Sequence, residues 1–369
     1  MITRLAGVRV DTGQETEFWV VDGRVTYSRV AGEQTVVSGW ILPGLVDAHA
    51  HIGLDAGGAV DRTTSRTYAR ADLAAGVTLI RDLGSPADLR WAHDEPGLPR
   101  LITAGRHIAR PRRYIRGLAV EVEPEDLAAE MRRQALAGDG WVKLVGDWID
   151  REAGDLTPLW PVEAVREGIV AAHAAGARVT AHCFGEQSVF ELVRAGIDCI
   201  EHGCGLDADT CSLMAARAVA LVPTLDNWQI FPGLADQGEA RYPAYAAHMR
   251  ALYARRTATI RQALAAGVPV YAGTDAGGTR AHGTLGPEIA ALAALGGPEF
   301  ALGAASWRAR EWLGAGTLDE GAPADLLVLP RDPRRDLTAL AAPSLILLGG
   351  VPYGPSNASG TTATPSRVR

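Results

Sequence analysis

Trp40-Ile-Leu-Pro-Gly-Leu-Val-Asp-Ala-His-Ala-His-Ile52 is the stretch on which the reading of the whole chain turns. Side chains two apart on a strand share a face, so His49 and His51 present two imidazoles to one point in space. That spacing suits a metal pincer. The apolar run Ile41 to Val46, entered through Pro43-Gly44, reads as one buried strand with both histidines at its C-terminal end. A lone His-x-His is as readily an ordinary strand edge, so the rest of the chain has to decide.

Working outward, the middle of the chain repeats a unit in which a helical stretch closes on an Ala-Gly pair and a β-branched apolar run follows. Ala74-Ala-Gly-Val-Thr-Leu-Ile80, Ala174-Ala-Gly-Ala-Arg-Val-Thr180, Arg194-Ala-Gly-Ile-Asp-Cys-Ile200 and Ala265-Ala-Gly-Val-Pro-Val-Tyr271 are clear instances. Glycine just past a helix supplies the left-handed conformation that stops it. With Leu42 to Asp47, Arg100 to Ala104, Trp141 to Val145 and Ala220 to Thr224, eight strands are expected. Helix-strand alternation over eight buried strands argues for an α/β fold, a (β/α)8 TIM barrel spanning 41–316. A doubly wound sheet ranks second, because no glycine fingerprint for a dinucleotide is present.

The two ends of the chain read differently. Gly7-Val-Arg-Val10, Glu17-Phe-Trp-Val-Val21 and Arg24-Val-Thr-Tyr27 are short strands with a hairpin turn at Asp22-Gly23. Gly321-Ala-Pro-Ala-Asp-Leu-Leu-Val-Leu329 and Pro343-Ser-Leu-Ile-Leu-Leu-Gly-Gly-Val351 show the same pattern. Neither end can bury a core alone, so residues 1–40 and 317–353 are expected to pair as a small β-sandwich domain. From 354 to 369 Ser, Thr, Gly and Pro dominate, and a disordered tail is expected.

Composition narrows the function. A net charge of -7 offers no basic field for nucleic acid, which points to a small-molecule or dipeptide substrate. No apolar run reaches the length of a membrane span, and the first residues lack a signal-peptide pattern, so a cytoplasmic protein is expected. A homo-oligomer remains open. Cys183, Cys199, Cys204 and Cys211 fit no zinc spacing and sit among small apolar residues, so they read as buried free thiols.

Chemistry-bearing residues fall at the strand ends. Strand one ends in His49 and His51, strand four carries Lys143, strand five ends in His182, strand six in His202 and strand eight in Asp275. Four of nine histidines therefore reach one mouth, which favours a metal site over four separately satisfied core histidines. Lys143 lies in an apolar strand, where an ammonium beside metal cations is strongly disfavoured; an ion pair with Asp147 is its plainer fate. Asp275 is either a ligand and general acid-base or a helix N-cap.

Pro43-Gly-Leu-Val-Asp-Ala-His-Ala-His51, Val142-Lys-Leu144, Ala181-His182, Ile200-Glu-His-Gly203, Gly273-Thr-Asp-Ala-Gly277 and the closing Gly321 to Leu329 together resemble the amidohydrolase superfamily. Within it they are similar to the imidazolonepropionase-like branch, which includes metal-dependent Xaa-Pro and Xaa-Arg dipeptidases. The resemblance implies two divalent metal ions, of which zinc is the first choice. By it His49, His51 and Asp275 hold one, His182 and His202 the other, and Lys143 bridges them as a carbamate formed with carbon dioxide. It further implies hydrolysis of an amide or peptide bond in a dipeptide or N-acyl amino acid by a metal-activated water, with Asp275 moving the proton. A mononuclear deaminase or cyclic-amide hydrolase is the alternative, since it needs the same histidines without Lys143. A lactone or ester hydrolase shares the chemistry, and a non-catalytic relative ranks last.

Specificity is less defined. The loop Gly105-Arg-His-Ile-Ala-Arg-Pro-Arg-Arg-Tyr-Ile-Arg-Gly117 departs from the glycine-rich loop of the related dipeptidases. Its Arg112 and Arg113, with Tyr114, are candidate substrate contacts that could meet a carboxylate, and a solvated basic loop is the alternative. His107 and His282, in loops after strands three and eight, are further candidate substrate contacts, each as readily a plain loop residue. His93, His173 and His248 read as half-exposed helix residues, and Trp228 and Phe231 as lid or pocket walls.

Overall fold

The structure, a computed structural model, describes residues 2–354. The expected tail lies, past Gly354, outside the described residues.

The Ala-Gly pairs end helices as their chemistry requires. Arg62–Ala74, Val162–Ala174, Glu186–Ala195 and Pro243–Ala265 are each followed within two residues by Gly76, Gly176, Gly196 and Gly267. All four glycines have φ between 81° and 103°, a region costly to any residue with a Cβ.

Leu45–Ala50, Val77–Asp82, Trp141–Val145, Cys199–His202 and Ala220–Val222 are buried at every residue, as a parallel sheet covered by helices demands. Leu45–Ala50, Val77–Asp82 and Arg100–Thr103 form one parallel sheet. A second runs Val120–Glu121, Ile108–Ala109, Trp141–Val145, Arg178–Cys183, Cys199–His202, Ala220–Val222, with every neighbouring pair parallel. Residues 269–276 link the two. Parallel bridges join Leu221 to Val270 and Ala50 to Ala276, and Ala48 N donates to Ala272 O at 2.9 Å. The eighth strand expected over Val268 to Tyr271 is thus a set of isolated bridges, because Pro269 has no N–H to give a ladder.

The opening stretch also divides. Gln34–Pro43 pairs with Leu326–Leu329, while Leu45–Ala50 belongs to the first parallel sheet. The chain changes sheets at Gly44, where a Cβ would lie 2.0 Å from the Thr78 hydroxyl. Two strands therefore stand where the apolar run reads as one.

Both chain ends meet in a single mixed sheet, ordered Val351–Tyr353, Leu345–Leu348, Leu326–Leu329, Gln34–Pro43, Ile2–Arg9, Glu15–Val21, Arg24–Thr26. One hydrogen-bonded sheet of seven unites the two ends, because Gln34–Pro43 takes Ile2–Arg9 along one edge and Leu326–Leu329 along the other. Arg310, fully buried, ties this sheet to the parallel strands. Its guanidinium reaches Asp325 at 3.1 Å and the Thr78 hydroxyl at 2.9 Å. The closing helix after Pro298 breaks at Ser306 into Pro298–Ala305 and Trp307–Leu313, and the Ser306 hydroxyl donates to Pro43 O at 2.6 Å.

Candidate metal centre

The strand ends bring the expected residues together. His49, His51, Lys143, His182, His202 and Asp275 all line one cavity of about 180 Å³. His49, His51 and Asp275 each place a ligand atom within 4.8 Å of the others. His49 Nε2 lies 3.1 Å and His51 Nε2 3.2 Å from Asp275 Oδ1. The rings continue from His49 to His202, with centroids 5.2 Å apart, and from His202 to His182 at 4.8 Å.

Three of the imidazoles are oriented by their second nitrogen. His51 Nδ1 is 2.8 Å from Gly84 O, His49 Nδ1 2.8 Å from Glu201 Oε2, and His202 Nδ1 2.7 Å from the Thr224 hydroxyl. In each case Nε2 is turned to the cavity, for His49 and His51 toward Asp275 Oδ1, the arrangement that fixes tautomer and ring in metal sites. Glu201 is itself held: Arg81 Nη2 donates to it at 2.7 Å, and Thr180 donates from its hydroxyl. Burial alone would raise the Glu201 carboxyl, but Arg81 and then His49 hold it below its usual range.

The backbone is strained at the same place. His202, Thr224 and Asp275 have φ of 65°, 50° and 57°, uncommon for residues with a Cβ and concentrated here at strand ends. Asp275 caps no helix; the next begins at Leu285. Its N–H donates to His49 O at 2.7 Å, and neighbouring Thr274 is pinned by Asp47, whose Oδ1 accepts from Thr274 N at 3.0 Å.

The donor set fits a metal. Lys143 is 1% exposed, its Nζ has no hydrogen-bond partner among the described residues, and burial lowers its pKa. The alternative partner, Asp147, instead accepts from the N–H groups of Phe184 at 2.9 Å and Gly185 at 2.6 Å. His182 Nε2, 3.9 Å from Asp147 Oδ1, likewise is buried with no hydrogen-bond partner among the described residues. Burial and then His202 push His182 well down, and burial pushes His202 to about 3, so both are neutral imidazoles able to ligate. Buried amine and imidazole nitrogens beside a carboxylate are a donor set of the kind that holds divalent ions.

The substrate contacts expected from the sequence are distributed unevenly. His107 and Tyr114 line the cavity, and His107 stacks on His51 with centroids 5.1 Å apart. Burial, then His51, pushes His107 well down. Arg112 and Arg113 line a separate surface depression with Glu123 and Asp150. Arg113 is committed to the hairpin Asp147–Asp150/Asp155–Pro158, reaching Asp150 at 2.8 Å and the Thr157 hydroxyl at 2.8 Å. Arg112 is exposed, and its N–H donates to Glu121 at 3.2 Å. His282 faces the helix Arg62–Ala74, with Nδ1 2.8 Å from Asp72 and its ring stacked on Tyr68 at 4.6 Å. It is not among the residues lining the cavity.

Asn227 is absent from the expected set, yet its Nδ2 donates to Asp275 Oδ2 at 2.6 Å and the residue lines the cavity. The Asp226-Asn227 turn is fixed from behind, where Glu288 accepts from Asp226 N at 2.9 Å and Arg280 pairs with the Asp226 carboxylate. Nothing in Leu225-Asp-Asn-Trp228 marks it as a contact, because its partner lies 48 residues away. Trp228 and Phe231 are fully buried, and Phe231 packs on the cavity residue Phe184 at 4.9 Å.

The chain matches the amidohydrolase family model over residues 40–350. An uncharacterized protein of Mycobacterium tuberculosis is 54% identical over 342 residues, covering 92% of this chain and 92% of that one. A solved structure from Bifidobacterium longum, provisionally assigned as a prolidase, superposes with a TM-score of 0.79 at 27% identity, covering 95% of this chain and 94% of that one. An Xaa-Pro dipeptidase with methionine bound in its active site superposes with a TM-score of 0.79 at 21% identity, covering 96% and 100%.

Proposed function

The chain belongs to the amidohydrolase family, and from that premise we propose that it hydrolyses an amide or peptide bond of a small molecule at a binuclear metal centre. The observation that supports this most is Lys143. It is the only lysine of 369 residues, the other 35 basic residues being arginine, and its amine is buried without a partner among the ligand histidines. An arginine would serve for charge. Only a primary amine adds carbon dioxide: its lone pair forms the C–N bond, a proton leaves, and a carbamate anion replaces a cation. Burial, which lowers the pKa of Lys143, favours the free amine that this addition needs.

In this proposal His49, His51 and Asp275 would hold one ion and His182 and His202 a second, with the Lys143 carbamate as a further anionic ligand. Bound there, such ions, zinc by preference, would supply Lewis acidity toward the scissile carbonyl and a lowered pKa for water. The chain's own residues do the rest. Asp275 takes the proton from the attacking water and delivers it to the leaving nitrogen. Asn227 holds the other Asp275 oxygen, so the proton moves on one defined edge of the carboxylate. His107 and Tyr114, beside His51 and His182, border the space where substrate enters.

We further propose that the two parallel sheets and residues 269–276 close into a (β/α)8 barrel, supported by the bridges at Val270 and Ala276. In that division residues 1–40 and 317–353 form the accessory domain. Four buried free cysteines favour a reducing compartment, and we place the reaction in the cytoplasm.

A mononuclear reading is favoured by one observation, the compact trio His49, His51 and Asp275, which suffices for a single ion. Metal analysis of Lys143→Arg protein separates the two. Loss of metal and of amide hydrolysis supports the binuclear centre, and unchanged metal content near one per chain supports the mononuclear enzyme.

A further inference from the structure

Around the metal-competent residues the cavity wall is apolar. Leu54, Ile115, Leu118, Trp148, Ile230 and Leu234 line it, with the rings of Tyr114 and Phe184. Ile115 is 50% exposed at this wall, an open apolar surface rather than packed core. No arginine is among the lining residues, and Lys143 is held at the buried ligand cluster. Three nearby cations are paired, and Arg112 and Arg116 of the loop are exposed and not among the lining residues. Arg113 is bound to Asp150 and Thr157, Arg110 is 3.3 Å from Glu123, and Arg280 is paired with Asp226. Apart from the ligand cluster and His107, the polar groups on the wall are neutral: Asn227, Thr279 and Tyr114.

A carboxylate entering such a wall gives up its hydration and finds no opposite charge, while an aryl or branched alkyl group loses nothing and buries its surface. We infer that the group accommodated here is uncharged and apolar, so that the substrate is a neutral aryl or alkyl amide and not a free dipeptide or N-acyl amino acid. This rests on the amide-hydrolase reading and specifies its substrate class.

The test compares 4-methylacetanilide with 4-acetamidobenzoate on zinc-loaded enzyme. The two anilides share the scissile bond and differ in a methyl or a carboxylate at the para position. The neutral anilide should have the higher kcat/KM by at least about tenfold, and Ile115→Arg, which puts a cation on the wall, should narrow or invert the ratio. A wild-type ratio of one or below overturns the inference, as does faster turnover of the dipeptide Leu-Pro; the hydrolase reading survives both. Calorimetric titration with 4-methylbenzamide and 4-carbamoylbenzoate reads the wall without catalysis. Preferential binding of the neutral amide with no turnover of any amide supports the apolar site and counts against the hydrolase reading. Equal binding, or binding of neither, overturns the inference.

Discussion

The ligand cluster and the arginine loop 105–117 are both gatherings of polar side chains near one cavity, and the paired arginines Arg110 and Arg113 end in the opposite state from Lys143. In the cluster, His49, His51 and His202 each spend one nitrogen on a scaffold partner and turn the other to the cavity, where Asp275 Oδ1 lies beside those of His49 and His51. Lys143 keeps its whole amine open. In the loop, Arg113 spends both terminal nitrogens on Asp150 and Thr157, and Arg110 turns to Glu123. Open hydrogen-bonding capacity that is buried is costly, so a fold retains it where something else is to fill it. Capacity already satisfied does structural service. Density of charge in the sequence did not separate the two; the partners do.

The sharpest way to break this comparison is to remove the open amine. Lys143→Ala should lower turnover by at least about a hundredfold and reduce bound metal, measured by activity and elemental analysis together. Full activity with undiminished metal would return Lys143 to the class of satisfied residues. A smaller loss is expected one layer out. Glu201→Gln keeps its shape but weakens the hold on His49 Nδ1, and metal affinity by competitive chelation should fall roughly 10–100-fold. Unchanged affinity would show that His49 needs no such orienting group.

Asn227→Ala removes the donor to Asp275 Oδ2. We expect kcat to fall roughly tenfold with KM nearly unchanged, because proton delivery is affected more than substrate binding. A rise in KM alone would recast Asn227 as a substrate contact. The arginine loop should behave differently. Arg113→Ala should lower unfolding free energy by about 1–2 kcal/mol while leaving kcat/KM for charged and neutral amides in the same ratio. Arg112→Ala should change neither. A selective loss on anionic amides in either variant would reinstate the loop as a carboxylate site.

The smallest effect concerns pH. His248 lies 2.9 Å from Glu186 and 2.9 Å from Asp155, and the Glu186 hydrogen bond raises it to about 9 against its burial. Its folded-state value lies above the unfolded value of about 6.5, so its contribution is full below that pH and lost as pH rises through about 9. The melting temperature of wild type should exceed that of His248→Gln at pH 6 and converge with it above about pH 9. A constant gap would deny the titration.

The contrast also explains what the sequence discloses. His49, His51, Lys143, His182 and His202 were legible because each sits on or at the end of an apolar strand, and strand periodicity sets where its side chain goes. The glycines after four helices were legible because the need for a left-handed residue is local. Asn227, Arg113 and His248 were not, since their partners lie 48, 37 and 93 residues away and only the packed chain brings them close. The strand break at Gly44 was hidden for a related reason. An apolar run reports burial and not which sheet it enters, and the contact with Thr78 that turns the chain is tertiary. His282 shows the limit of loop position as a guide, for its ring turns to Asp72 and Tyr68.

The central claim is that Lys143 becomes an anionic ligand. Because the chain holds a single lysine, ¹³C NMR of protein equilibrated with zinc and ¹³C-bicarbonate reads that one side chain, apart from the α-amino group, without assignment by difference. The account predicts one carbamate resonance that disappears in Lys143→Arg, together with about two zinc ions per wild-type chain. An enzyme that hydrolyses amides with zinc bound and no lysine carbamate would contradict it.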